Sequence, residues 1–216
     1  MNLLIVGAPG VGKGTMSKFL IEEYGVDHIS TGDMLREAVA NATPIGLKVK
    51  ELMDSGSLVP DDIIEEMITD RLSKDGTSKG FLFDGYPRNI SQAKSLTKIL
   101  DKLKLKIDAI IYLEVAEDVL IKRITGRRTC PNCKETYNIY YKLPKVEGVC
   151  DSCGSKLIIR KDDNEDSLKN RLSEFHNNTE PVIEYYDKEN LIKRINADQS
   201  REAEFEDIRK ALEGIE

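Results

Sequence analysis

Apolar residues in this chain fall into two alternating rhythms. Short, nearly unbroken runs occupy Asn2–Val6 (NLLIV), Phe81–Phe83 (FLF), Ala109–Val115 (AIIYLEV) and Leu191–Ile195 (LIKRI), with Val26–Ile29 as a further candidate. Runs of this length fit strands buried on both faces, as in a parallel sheet. Between them apolar residues recur at helical spacing. Lys13–Tyr24 carries Met16, Phe19, Leu20 and Tyr24, and Asp61–Ser73 carries Ile63, Ile64, Met67, Ile68 and Leu72 behind two aspartates that suit a helix start. Ile90–Leu103 and Glu117–Ile124 read the same way. Strands alternating with helices predict an α/β fold around a parallel sheet.

Two segments break the rhythm and read as inserts on the core. Thr31–Val59 holds two short helical patterns and no strand. Gly126–Asp163 contains all four cysteines, with Tyr137, Tyr140, Tyr141 and two prolines. The charged run Lys161–Asp166 reads as a solvated loop leading into a helix. At 216 residues the chain can build one good-sized core with small inserts. Its formal net charge of -6 and pI near 5.2 disfavour general nucleic-acid binding. No apolar run is long enough to span a bilayer, and the N-terminus lacks the features of a secretion signal. These features predict a cytoplasmic protein, in which cysteines rarely form structural disulfides.

The chemistry begins at Gly7–Thr15, GAPGVGKGT. It fits G-x-x-x-x-G-K and lies between a predicted strand and a predicted helix, the setting this phosphate-binding loop requires. Glycines let backbone N–H groups close around phosphate oxygens at the positive end of the new helix. Lys13 adds a point charge and Thr15 a hydroxyl for Mg²⁺; Gly14 separates the two, a departure from the general motif. Asp84 ends the FLFD run, at the strand tip where ligands collect in open α/β sheets, and a carboxylate there can hold Mg²⁺ through water. Arginine then matters more than lysine. The chain has 21 lysines and 11 arginines, yet the inserts and their edges use Arg36, Arg88, Arg123, Arg127, Arg128, Arg160 and Arg171. A guanidinium forks onto phosphate as an ammonium cannot. The spacing of Arg123 and Arg127 suggests that both project from one face of a helix end. His28 and His176 are isolated and receive no role.

Cys130, Cys133, Cys150 and Cys153 read C-x2-C-x16-C-x2-C, a strong zinc spacing. Four thiolates complete a tetrahedron with no place for water, so the metal is expected to be structural, Zn²⁺ in a piece too small for a core of its own. Tyr137 and Leu143 are expected to pack its hairpins.

The motifs GAPGVGKGT, STGDMLR (30–36), FLFDGYPR (81–88), RITGRR (123–128) and IRKDD (159–163), in that order from Met1 to about Leu212, resemble the adenylate kinase family in its long-lid form with a four-cysteine zinc site. The resemblance implies a parallel-sheet P-loop nucleoside triphosphate hydrolase fold with two mobile inserts. The core would be 1–29, 60–125 and 164–216, with an AMP-binding insert at 30–59 and a zinc-binding lid at 126–163. It implies the reaction ATP + AMP ⇌ 2 ADP with Mg²⁺, in a monomer. ATP would lie on Gly10, Val11, Gly12, Lys13, Gly14 and Thr15, held by Arg123 and Arg127 with Thr136, Tyr137 and Gln199. AMP would contact Thr31, Arg36, Ser57, Leu58, Val59, Gly85, Tyr86, Pro87, Arg88 and Gln92. Arg160 and Arg171 would reach over the acceptor, and Lys13, Asp84, Arg88, Arg123, Arg160 and Arg171 would carry the chemistry. Two departures are Met16, where glutamine is expected, and NADQ near 197 in place of a glycine-containing turn.

Two other readings remain at this stage. One is a kinase for UMP, CMP or GMP, which would differ mainly around Thr31, Val59 and Gln92. The other is a zinc-ribbon nucleic-acid binder switched by ATP, against which stand the acidic balance and a lid without a dense basic and aromatic surface.

Overall fold

A computed structural model describes residues 1–55, 57–75 and 79–215. Gly56, residues 76–78 and Glu216, which fall within the expected domain bounds, lie outside the described residues. Five strands form one parallel sheet: β1 (Asn2–Gly7), β2 (Asp27–Ser30), β3 (Phe81–Asp84), β4 (Ala109–Glu114) and β7 (Ile192–Asn196), in the order β2-β3-β1-β4-β7. The three central strands, β3, β1 and β4, are buried on both faces, which is why they read as unbroken apolar runs, whereas the edge strands β2 and β7 are partly exposed. Leu4 and Val6 of β1 enter one core with Phe81, Phe83 and Ile110; Leu3 and Ile5 enter the other with Leu82, Ile111 and Leu113. At about 25 cal/mol per Å² of apolar area removed from water, these two layers supply the main driving force for folding.

Helices cover both faces. They are α1 (Lys13–Tyr24), α2 (Thr31–Ala40), α3 (Pro44–Ser55), α4 (Asp61–Asp75), α5 (Ile90–Leu103), α6 (Glu117–Thr125), α7 (Glu165–Glu174), α8 (Glu180–Asp187) and α9 (Arg201–Leu212). Side-chain caps set several of their starts: Ser30 accepts from Asp33 N, Asn89 from Gln92 N, Asn164 from Ser167 N and Ser200 from Ala203 N. A π-helical turn, Phe175–Thr179, joins α7 to α8.

Two excursions leave the sheet. Residues 30–59 hold α2 and α3, as the absence of strand pattern predicts. Residues 126–163 hold the antiparallel pair β5 (Arg127–Thr129) and β6 (Thr136–Asn138), with a core of only Cys130, Tyr137, Cys150 and Leu157. Three expectations are corrected. Leu143 does not pack this piece; it is 70% exposed, while Tyr137 does pack it. Arg123 and Arg127 do not share a helix face, because α6 ends at Thr125 and Arg127 begins β5. The hairpin closes so tightly on the helix end that a Cβ at Gly126 would meet Asn138 Oδ1 at 2.7 Å and Lys122 O at 2.8 Å. Finally, Lys161–Asp166 is more than a solvated loop: the Asp163 side chain is fully buried and paired with Arg127.

Candidate active site

The glycine loop leaves the sheet from its central strand. Gly10 has φ +86 and Gly12 φ +123, backbone conformations that side chains rarely adopt. A Cβ at Gly10 would also meet Ile124 Cγ1 at 2.8 Å. Gly14 is glycine for another reason. Its backbone is unstrained, and nothing lies within 4 Å of where a Cβ would stand; the space is likewise open at Gly12. Side chains there would fill the space above the N-terminus of α1, where free N–H groups and the helix dipole favour an anion. The loop is therefore a cradle that a Cβ would obstruct.

Lys13 Nζ crosses this loop and donates to Gly7 O at 2.6 Å and Ala8 O at 3.0 Å, leaving one of its three donors. Its ammonium is pulled down from 10.5 to about 7, chiefly by loss of solvent and then by the guanidiniums of Arg171, Arg88 and Arg127; Asp84 opposes the shift. The Asp84 carboxylate, at the tip of β3, makes no hydrogen bond among the described residues. Its neighbour is His28, whose buried Nε2 lies 3.7 Å from Asp84 Oδ2 and lacks a hydrogen-bond partner.

Around the loop opens a cavity of about 700 Å³. It is lined by Gly10–Thr15 together with Arg36, Asp84, Arg88, Arg123, Arg127, Arg160 and Arg171, and also by Leu58, Gly85, Tyr86, Pro87, Thr136, Tyr137 and Gln199. A smaller recess of about 80 Å³ adds Thr31, Ser57, Val59 and Gln92 and shares Arg36, Gly85, Arg88 and Arg171. Residues far apart in sequence thus meet on two connected surfaces.

The cations are held in different ways. Arg123 ties the loop to the turn after β7, donating to Val11 O at 2.7 Å and Ala197 O at 2.8 Å. Arg88 Nε donates to Gly85 O at 2.8 Å. Arg36 pairs with Asp33, Arg127 with Asp163 through both forks, and Arg171 with Asp162 at 3.0 Å. Arg160 makes no ion pair or side-chain hydrogen bond among the described residues. Burial first, and neighbouring guanidiniums with it, brings both Arg160 and Arg171 down to about 10. So many cations converge only where a polyanion is to be bound.

Several residues named from sequence have their side chains engaged elsewhere. Tyr86 is buried against Phe83 and its hydroxyl donates to Gln92 O. Gln92 accepts from Arg88 N and donates to Asp61 Oδ1, both at 2.7 Å. Tyr137 OH accepts from Asp151 N and lies 3.6 Å from Cys150 Sγ. Gln199 donates to Asp207 Oδ2, and Thr31 Oγ1 to Gly85 O. The sequence reading missed the acids Asp33, Asp61, Asp162 and Asp163 that orient these groups, and also His28, Ser200, Arg201 and Glu204 in the cavity wall. The IRKDD run offered the one local signal, since two acids beside an arginine are ready partners.

Away from the cavity, the four cysteines converge with all Sγ atoms within 4.8 Å of one another; Cys130–Cys153 is 3.4 Å and Cys133–Cys150 3.5 Å. A tetrahedral zinc with sulfur at 2.3 Å needs edges of about 3.8 Å, so the cluster has the size and donor chemistry for that ion. Hydrogen bonding with Ser155, side chain first and then backbone, lowers the Cys153 thiol to about 5, favouring the thiolate that a metal takes.

A glycine loop after a central parallel strand, an acid on the neighbouring strand tip and a ring of guanidiniums define a P-loop nucleotide-binding protein. The family model for adenylate kinase matches residues 5–191. A protein named adenylate kinase from Geobacillus sp. (strain WCH70) is 47% identical over 216 residues, covering 100% of both chains. Others of that name are 47% identical in Carboxydothermus hydrogenoformans, over 99% of this chain and 100% of the relative, and 43% identical in Pseudothermotoga lettingae, over 100% and 99%. The chain belongs to the adenylate kinase family.

Proposed function

We propose that the protein transfers the γ-phosphoryl group of MgATP to AMP, reversibly giving two ADP. The observation that carries this reading is the convergence of Lys13 and seven arginines on one cavity, which shares Arg36, Arg88 and Arg171 with a second recess. A nucleotide hydrolase needs one phosphate site; two connected cationic sites suit two nucleotides meeting at their phosphates.

The roles follow from position. ATP phosphates rest on Gly10–Thr15, with Arg123 and Arg127 at the donor side and Thr136, Tyr137 and the backbone of Gln199 in its wall. AMP enters between 30–59 and β3, its phosphate held by Arg36 and Arg88 and its nucleoside near Thr31, Ser57, Leu58, Val59 and Gly85–Pro87, with Gln92 fixing Arg88. Arg160 and Arg171 span both phosphates. An AMP phosphate oxygen attacks the γ-phosphorus as the bond to the β-bridging oxygen breaks, so no side-chain nucleophile is required. Charge on the moving phosphoryl group is met by Lys13 and the arginines, each strong donor in a dry site contributing about 3 kcal/mol. The Asp84 carboxylate, free of hydrogen bonds, and Thr15 are the oxygen donors that fit Mg²⁺, which supplies charge neutralisation between the phosphates. Residues 126–163 act as a mobile lid that excludes water, stabilised by Zn²⁺ on Cys130, Cys133, Cys150 and Cys153.

Among the described residues no helix is long and apolar enough to cross a membrane. We place the protein in the cytoplasm as a monomer; four reduced cysteines in metal-binding array and the acidic balance support a cytoplasmic nucleotide enzyme without nucleic-acid partners. Assays of ADP formation from ATP and Mg²⁺ with AMP, UMP, CMP or GMP in turn test the acceptor. AMP is expected to be the best; its being the poorest would overturn the assignment.

A further inference from the structure

Glu204 is a buried acid with no partner. Only 4% exposed, it stands in the first turn of α9 and lines the large cavity. It makes no side-chain hydrogen bond or ion pair among the described residues. Arg123 and Arg201 favour its charge, but loss of solvent outweighs them and raises the acid to about 7. An acid in a helix's first turn is helped by the dipole, yet Glu202 supplies that from solvent in the same turn. Burying a second, unpaired carboxyl costs stability and needs another reason.

Sheet order says what lies beside it. The glycine loop follows central β1. On one side stand β3 and β2, bearing Asp84, Arg88 and Thr31; on the other stand β4 and β7, leading to Arg123 and to the turn before α9. If the acceptor occupies the β2–β3 side, as the proposed function holds, the donor's nucleoside half must leave the loop on the β4–β7 side. Arg123 bridges Val11 O and Ala197 O there, and Gln199, Ser200, Arg201 and Glu204 form the wall beyond it. Gln199, whose amide nitrogen donates to Asp207, is only half-buried and Ser200 is exposed, so Glu204 is the buried side-chain acceptor of this wall, with free lone pairs.

Resting on that reading, we propose that Glu204 accepts a hydrogen bond from the nucleoside half of the phosphoryl donor, either the exocyclic amine of the base or a ribose hydroxyl, and so helps to select the triphosphate. Ionised or protonated, a carboxyl keeps an acceptor lone pair, and so does an amide.

The test compares wild type, E204Q and E204L with four donors: ATP, purine riboside triphosphate (no 6-amine), 2′-deoxyATP and 3′-deoxyATP. E204L is expected to raise KM for ATP about tenfold, the loss of one good hydrogen bond, with kcat and KM for AMP little changed. E204Q should stay within about twofold of wild type. With the one analogue that lacks the bonded group, wild type and E204L should converge, which identifies amine or hydroxyl. A loss of equal size with every donor, or an unchanged KM in E204L, would overturn the proposal. Thermal unfolding checks the fold, and E204M replaces E204L if leucine does not fold. Wild type that makes no AMP-dependent ADP contradicts the proposed function; an E204L enzyme identical to an active wild type contradicts only this inference.

Discussion

Lys13 stands where two demands conflict. It must be buried near arginines to meet a phosphate, and the same surroundings pull its ammonium from 10.5 down to about 7. A base whose folded value lies below its unfolded value takes up fewer protons when folded. Its contribution to stability therefore rises with pH between about 7 and 10.5, and the charged form is a cost below that window. Nucleotide removes the conflict, because triphosphate oxygens favour the ammonium. Calorimetry of ATP binding near pH 8, in buffers of different ionisation enthalpy, should show net proton uptake that shrinks as the pH is lowered toward 6. Lys13→Met should abolish the pH 8 uptake and reduce turnover by at least a hundredfold while leaving the chain folded, a magnitude of the order seen when one transition-state donor is lost. Unchanged uptake in Lys13→Met would show that another group titrates.

At the scale of elements, the sheet and its flanking helices were legible wherever burial is two-sided or periodicity strong. Asn2–Gly7, Lys13–Tyr24 and Ile90–Leu103 lie within a residue of the reading from pattern alone. The strand near Val26 runs instead from Asp27 to Ser30, because its pairing with β3 sets its length. Helices α8 and α9 gave weak signals; α9 has Phe205, Ile208 and Leu212 among charged residues, and its first buried position is an acid. Candidate phosphate groups were legible because glycine, lysine and arginine are chosen for chemistry. Their orienting acids were not, since Asp162 and Asp163 look like any solvated charge until the chain brings Arg171 and Arg127 beside them. The lid hairpins, with a core of four residues, could not be inferred to stand alone. A zinc ion on the four cysteines, as proposed, would answer that need. Mass spectrometry under native conditions should find one zinc per chain. Its removal by chelator should lower Tm by roughly 5 °C or more, about 2 kcal/mol for a chain of this size, with a smaller effect on single-turnover chemistry. A metal-free protein of equal Tm would contradict the structural role.

The whole molecule is built as three pieces around one space. The core provides the loop, the strand tips and Arg88, Arg123, Arg171 and Arg201, and the two excursions provide Arg36, Arg127 and Arg160. These excursions also meet, with Lys161 3.6 Å from Asp54, and the core helix α7 reaches the first of them where Asn170 donates to Ser55 O at 3.3 Å. Lys18 of α1 also pairs with Glu135, which lies between β5 and β6. Exposed pairs of this kind contribute only about 0–1 kcal/mol each, weak enough to permit the lid movement proposed above. The account's central claim is that this space brings two nucleotides together and keeps water from the phosphoryl group. Following ATP consumption with and without AMP, while counting ADP, tests it most directly. The account predicts two ADP per ATP consumed and almost no consumption without AMP; ATP loss at the same rate in both, with phosphate released, would contradict it.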